Sequence, residues 1–109
     1  MSAESTISVS APVMTLINVF TVEPARQQEL VRVLATATEK TMRHLPGFVS
    51  ANIHASTDGE RVVNYAQWES EQAFRAMLED PQARKHMGAA MGLAHAEPHV
   101  YGVTSVHHR

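Results

Sequence analysis

The chain contains no cysteine, which removes disulfide frameworks, thiolate nucleophiles and cysteine-held metal or iron–sulfur centres. It also lacks an excess of positive charge. Nine Lys and Arg stand against eleven Asp and Glu, for a net charge of −2, and the basic residues are scattered, so neither nucleic acid nor an anionic membrane surface is the expected partner. No apolar run approaches the roughly 18 residues that a membrane-spanning helix requires. Residues 1–12 are Ser-rich and lack the basic start and apolar centre of a signal peptide, so they are expected to form a flexible tail on a cytoplasmic protein. A Gly-rich phosphate loop, a nucleophile elbow and paired carboxylates are all missing, which excludes kinase, hydrolase and dinucleotide-binding readings.

What remains is a chain of 109 residues, 44% of them hydrophobic, enough for one core and too little for two; residues 13–109 are read as that single domain. Val13 to Val22 is rich in β-branched and aromatic residues and reads as a first strand. Pro24 is suited to open a helix, and Leu30, Val33, Leu34, Ala37 and Thr41 follow at three- and four-residue spacing, predicting a helix to about His44. Phe48 to Ala55 and Glu60 to Glu69 flank Asp58-Gly59, a dipeptide that tolerates the positive φ of a tight turn, and are expected to pair as a hairpin. Ser70 is a suitable N-cap for Glu71 to Leu78, and Asp80-Pro81 begins a further helical segment through His86 and Met91. Alternation after Pro98 places the last strand at Val100 to Val106.

The order β-α-β-β-α-β is that of an α+β ferredoxin-like domain, a four-stranded antiparallel sheet with its helices on one face. The other face, carrying either Ile17, Val19, Val63 and Tyr65 or the opposite set, is then left bare. A second copy packed sheet against sheet is its expected cover.

Period two puts Leu16, Asn18 and Phe20 on one face of the first strand, and Val62, Asn64, Ala66 and Trp68 on one face of the third. In ferredoxin-like order these strands are central neighbours, which brings Asn18 and Asn64 together. Asn in mid-strand is disfavoured and costs free energy unless its amide is satisfied; two of them beside an indole point to a site. His86 has Met77, Met87 and Met91 nearby and is a candidate base, metal ligand or haem ligand. Phe20, Phe74, Met77, His86 and Met91 are expected to line a substrate pocket, with methionines as its adaptable wall. His95, His99, His107 and His108 cluster without a carboxylate or cysteine pattern, so no metal site is assigned.

The segment His54 to Arg75, with Asn-Tyr-Ala-Gln-Trp-Glu-Ser-Glu-Gln-Ala-Phe-Arg at its centre, and the Pro-Gly-Phe before the second strand resemble the antibiotic biosynthesis monooxygenase family. The likeness extends in pattern over about residues 14–106 and is nearest to the cofactor-free oxygenases of aromatic polyketide pathways. It implies a ferredoxin-like fold dimerised into an α/β barrel, with Asn18, Asn64 and Trp68 as catalytic residues. Phe74 stands where one type of polyketide-pathway member has a Tyr, so any role of that hydroxyl is lost here. Haem-degrading relatives match at Asn18 and His86, with Met77 in place of their second Trp.

The resemblance implies a cofactor-independent monooxygenase that converts a polycyclic aromatic, an anthrone or hydroxyarene, to a quinone with dioxygen as co-substrate. Its alternatives are a haem-binding or haem-degrading protein using His86, and a non-catalytic dimer that binds a small aromatic ligand.

Overall fold

The computed structural model describes residues 3–109. β1 (Met14–Val22) is followed by a 3-10 turn at Pro24–Arg26 and by α1 (Gln27–Lys40). The expected single helix to His44 is interrupted, because Thr41 leaves helical geometry (φ −128°, ψ −62°) before a second 3-10 turn at Met42–His44. β2 (Phe48–Ala55) and β3 (Arg61–Trp68) form the hairpin. Its loop is longer than a two-residue turn, and only Gly59 adopts positive φ (+82°). Asp58 contributes through its carboxylate instead, which accepts from the Glu60 N–H (2.9 Å) and the Ser56 hydroxyl (2.7 Å), as short acidic side chains do in turns. α2 (Glu71–Glu79) and α3 (Pro81–Met91) begin at side-chain caps: the Ala73 N–H donates to Ser70 Oγ and the Ala83 N–H to Asp80 Oδ2, both at 3.0 Å.

The final strand, β4, is Ala94–Tyr101, not Val100–Val106. It starts two residues beyond Gly92 and runs through Pro98, which the sequence pattern treats as a break. The sheet order β2-β3-β1-β4 makes β4 an edge strand, and there a proline is tolerated because one side of the strand has no ladder partner.

In the pairing of β1 with β3, Phe20 lies opposite Val62, Asn18 opposite Asn64, Leu16 opposite Ala66 and Met14 opposite Trp68. These rungs all face the helices. Around Phe20 and Val62 a core forms with Val22, Leu30 and Ala90; Met14, Leu16 and Ala66 form a second cluster; Trp68, Met77 and Ala83 form a third. Buried Gln27 ties the start of α1 to the hairpin, donating to the carbonyls of Ser56 (2.9 Å) and Arg61 (3.0 Å). On the opposite sheet face Ile17, Val19, Val63 and Tyr65 are half-buried. The N-terminal segment reaches this face: Ser5 Oγ donates to Asn52 Oδ1 (2.6 Å), and Gln67 Nε2 donates to the Thr6 carbonyl (2.9 Å). Among the described residues no helix is long and apolar enough to cross a membrane.

Two turns set measurable parts of the stability. Gly47 has φ +84°, and a Cβ there would collide with the Ala73 side chain; Gly47→Ala should cost roughly 2 kcal/mol and lower Tm by about 8 °C in calorimetry. An unchanged Tm would show that the turn relaxes freely. The second concerns Asp58, whose carboxyl is held below its ordinary range chiefly by the Glu60 N–H and then by the Ser56 hydroxyl. A depressed native pKa stabilises above the unfolded value, near 4, and that contribution is lost as pH falls through the native one. The stability advantage of wild type over Asp58→Asn should therefore shrink in denaturant titrations below about pH 4; parallel curves from pH 7 to 3 would contradict it.

Candidate functional site

The Asn18–Asn64 rung interrupts the apolar face between Phe20–Val62 on one side and Leu16–Ala66 on the other. Neither carboxamide oxygen has a hydrogen-bond partner, and both are sealed from solvent. A third mid-strand asparagine makes the contrast: Asn52, on the outer face, donates to the Tyr65 carbonyl (2.9 Å) and to Ser50 Oγ (3.2 Å) and accepts from Ser5. An unsatisfied buried polar group costs about 1–3 kcal/mol; Thr15 Oγ1 is another, but the two asparagines share one rung on the cavity side of the sheet, where a bound ligand can supply partners.

That rung borders a cavity of about 580 Å³ between sheet and helices, within the range of small-molecule sites. Asn18, Asn64 and Trp68 line it, together with Phe20, Phe74, Met77, His86 and Met91, so all eight residues singled out in the sequence meet at one place. Trp68 is 2% exposed and is held by two aromatic neighbours: Phe48 edge-on with centroids 5.4 Å apart, and Phe74 tilted at 6.5 Å. Such contacts fix the ring plane. Apart from Thr38 and, at the β4 edge, His99, the remaining walls are aliphatic, aromatic or thioether. Met91 and Val100 are exposed lining residues, which places the mouth where the end of α3 faces β4.

His86 projects from α3 into this cavity, and its Nε2 lies 3.1 Å from Thr41 Oγ1, at the break that ends α1. An axial role toward haem would compete with that bond, and Met77 supplies no aromatic face. His95 stands elsewhere, 3.7 Å from Glu97; His99 borders the cavity at the β4 edge, but it lies opposite Ile17 in the ladder with its ring edge-on to Tyr101.

Several lining residues escaped the sequence reading. Leu34, Ala37 and Thr38 of α1, Met42 of the following turn, Phe48 and Ala51 of β2, and Pro98 of β4 all face the cavity. Leu34 and Ala37 were visible as an apolar helical stripe, but a stripe that lines a cavity has the same spacing as one that packs a core. Pro98 was hidden by the misplacement of the last strand; its partner across the ladder is Asn18.

The family model described as antibiotic biosynthesis monooxygenase matches residues 13–89. Among curated proteins the chain is 48% identical over 107 residues to the tetracenomycin-F1 monooxygenase of Streptomyces glaucescens, covering 93% of this chain and 96% of that one. Among solved structures it is similar to a monooxygenase from the gene ActVA-Orf6 of Streptomyces coelicolor, crystallised in complex with the ligand nanaomycin D (TM-score 0.83, 34% identity, 94% of this chain and 99% of that chain). It is also similar to SnoaB, a cofactor-independent oxygenase from Streptomyces nogalater (TM-score 0.70, 28% identity, 88% of this chain and 97% of that chain). With the fold, the register and the cavity in place, the chain belongs to the antibiotic biosynthesis monooxygenase family.

Proposed function

We propose that this protein is a cofactor-independent monooxygenase that oxidises an anthrone- or hydroxyarene-type polycyclic aromatic of polyketide character to a quinone, working in the cytoplasm as a homodimer. One observation carries the reading: two carboxamides whose oxygens lack protein partners lie opposite each other on the floor of an apolar cavity, beside a fixed indole. Its kinship with the tetracenomycin-F1 monooxygenase and with SnoaB supports the same chemistry.

A substrate of this class becomes an electron donor to dioxygen once it is an enolate or phenolate, because charge spreads over the fused rings. The protein's part is to bind planar rings, exclude water and stabilise the oxyanion with neutral donors. Asn18 and Asn64 are the donors, their amide N–H groups directed at the substrate oxygen; an Asn amide can present either end to a ligand. Trp68 offers a ring face and an indole N–H, while Phe20, Phe74, Met77 and Met91 complete the apolar wall. For an anthrone, the CH₂ carbon bonds to one oxygen of O₂, two C–H bonds and the O–O bond break, and the products are the quinone carbonyl and one water. Dioxygen takes all four electrons.

Ile17, Val19, Val63 and Tyr65 provide the surface for the dimer, an apolar sheet face that a second sheet can cover at the usual spacing of about 10 Å.

The direct test is oxygen uptake by metal-free, flavin-free protein supplied with dithranol, followed optically for quinone. Uptake should exceed autoxidation and depend on protein concentration; uptake at the autoxidation rate would leave ligand binding without catalysis. Asn64→Ala should lower kcat about 100-fold and shift Tm by less than about 4 °C, since no protein hydrogen bond is lost. A wild-type rate would remove Asn64 from the mechanism. For the assembly, Val63→Glu should convert a dimer to a monomer in sedimentation velocity, and a wild-type protein that sediments as a monomer would end the dimer reading.

A further inference from the structure

Forming the substrate anion requires a base, and the carboxamides and indole of the cavity floor cannot take a proton near neutral pH. Among the described residues, no Asp, Glu, Lys or Arg lines the cavity. The elements packed against α3 are α1, α2 and β4, and α1 and α2 present only uncharged side chains to the cavity, as do the turn after α1 and the two central strands. β4 contributes His99, but His99 lies opposite Ile17 in the ladder and edge-on to Tyr101, which puts its ring on the outer sheet face. His86 remains, half-buried, with one nitrogen held by Thr41.

We infer that His86 is the general base of the reaction, acting through Nδ1, and that Thr41 positions it by accepting a hydrogen bond from Nε2–H. The inference rests on the oxygenase reading and deepens it. In that tautomer the proton sits on Nε2 and Nδ1 carries the free lone pair. Thr41 lies just beyond the last residue of α1, so the break in that helix is what presents its hydroxyl to α3.

In the first step the Nδ1 lone pair takes a proton from the acidic C–H or O–H of the substrate, and the bonding electrons remain on the substrate as an enolate or phenolate held by Asn18 and Asn64. The anion reduces dioxygen and forms one C–O bond; the peroxide oxygen takes the proton back from the imidazolium. Nδ1 then removes the hydrogen that remains on the peroxide-bearing carbon as the O–O bond breaks, and the departing hydroxide collects that proton as water. His86 ends as it began. Phe74 has no proton to exchange, so the route does not pass through that position.

The test is His86→Gln, which preserves a donor toward Thr41 but accepts no proton from a substrate. At pH 7, kcat for dithranol should fall about 100-fold, within the usual range for loss of a general base. Affinity for the quinone product, read by quenching of the single tryptophan, Trp68, should change less than twofold. As pH rises through the ionisation of the substrate itself, the anion forms in water and the variant should approach the wild-type rate. Thr41→Val should lower kcat about tenfold with KM unchanged, less than the loss of the base itself, and Thr41→Ser should restore it. Wild-type turnover in His86→Gln at pH 7, or a defect of constant size from pH 6 to 10, would overturn the base assignment while leaving the oxygenase intact. Wild-type protein without oxygen uptake would instead overturn both.

Discussion

The rest of the structure depends on the register that sets Asn18 opposite Asn64 across the two central strands. Strand periodicity of two makes this an all-or-nothing arrangement, because a slip of one residue would send both carboxamides to the outer face and bring Ile17 or Val63 inward. The apolar rungs on either side hold that register. Phe20–Val62 and Leu16–Ala66 are buried pairs in separate core clusters, and the place where the core divides is where the two polar groups sit. The cavity is thus an interruption within the hydrophobic core. Apolar packing on both sides offsets the cost of leaving two amide oxygens without partners.

Its roof is assembled from pieces that are each secured locally. Gln27 anchors the start of α1 to the hairpin through two carbonyls, and Ser70 and Asp80 cap the two later helices. Asp80 is both the end of α2 and the N-cap of α3, in an extended conformation (φ −70°, ψ 127°); this corner turns the chain so that Met77 from one helix and His86 from the next reach the same space. Since β4 is an edge strand and exposed Val100 and Met91 both border the cavity, the cavity keeps a mouth, while the two carboxamide oxygens on its floor are shielded from solvent.

Within that space charge is scarce. Phe74 packs on Trp68 as a plain hydrocarbon ring, and the helix-facing wall carries one imidazole. For the oxygenase we propose, such neutrality suits the chemistry, because neutral N–H donors hold an anion less tightly than a fixed cation would.

The sequence by itself determined the element order, the two helix caps, the identity of the helix-facing residues on β1 and β3, and the family, because these depend on local propensity and on a periodicity that folding cannot alter. Asn18, Asn64 and Trp68 could be placed on one face for that reason alone. Tertiary structure decided where β4 begins, since a proline that would break a central strand is harmless at an edge. It also decided that Leu34 and Ala37 line a void instead of filling one, that Asn52 is satisfied while Asn18 and Asn64 are not, and that Thr41 meets His86 across 45 residues of chain. Each of these depends on which distant groups share a space, and spacing along the chain carries no record of that.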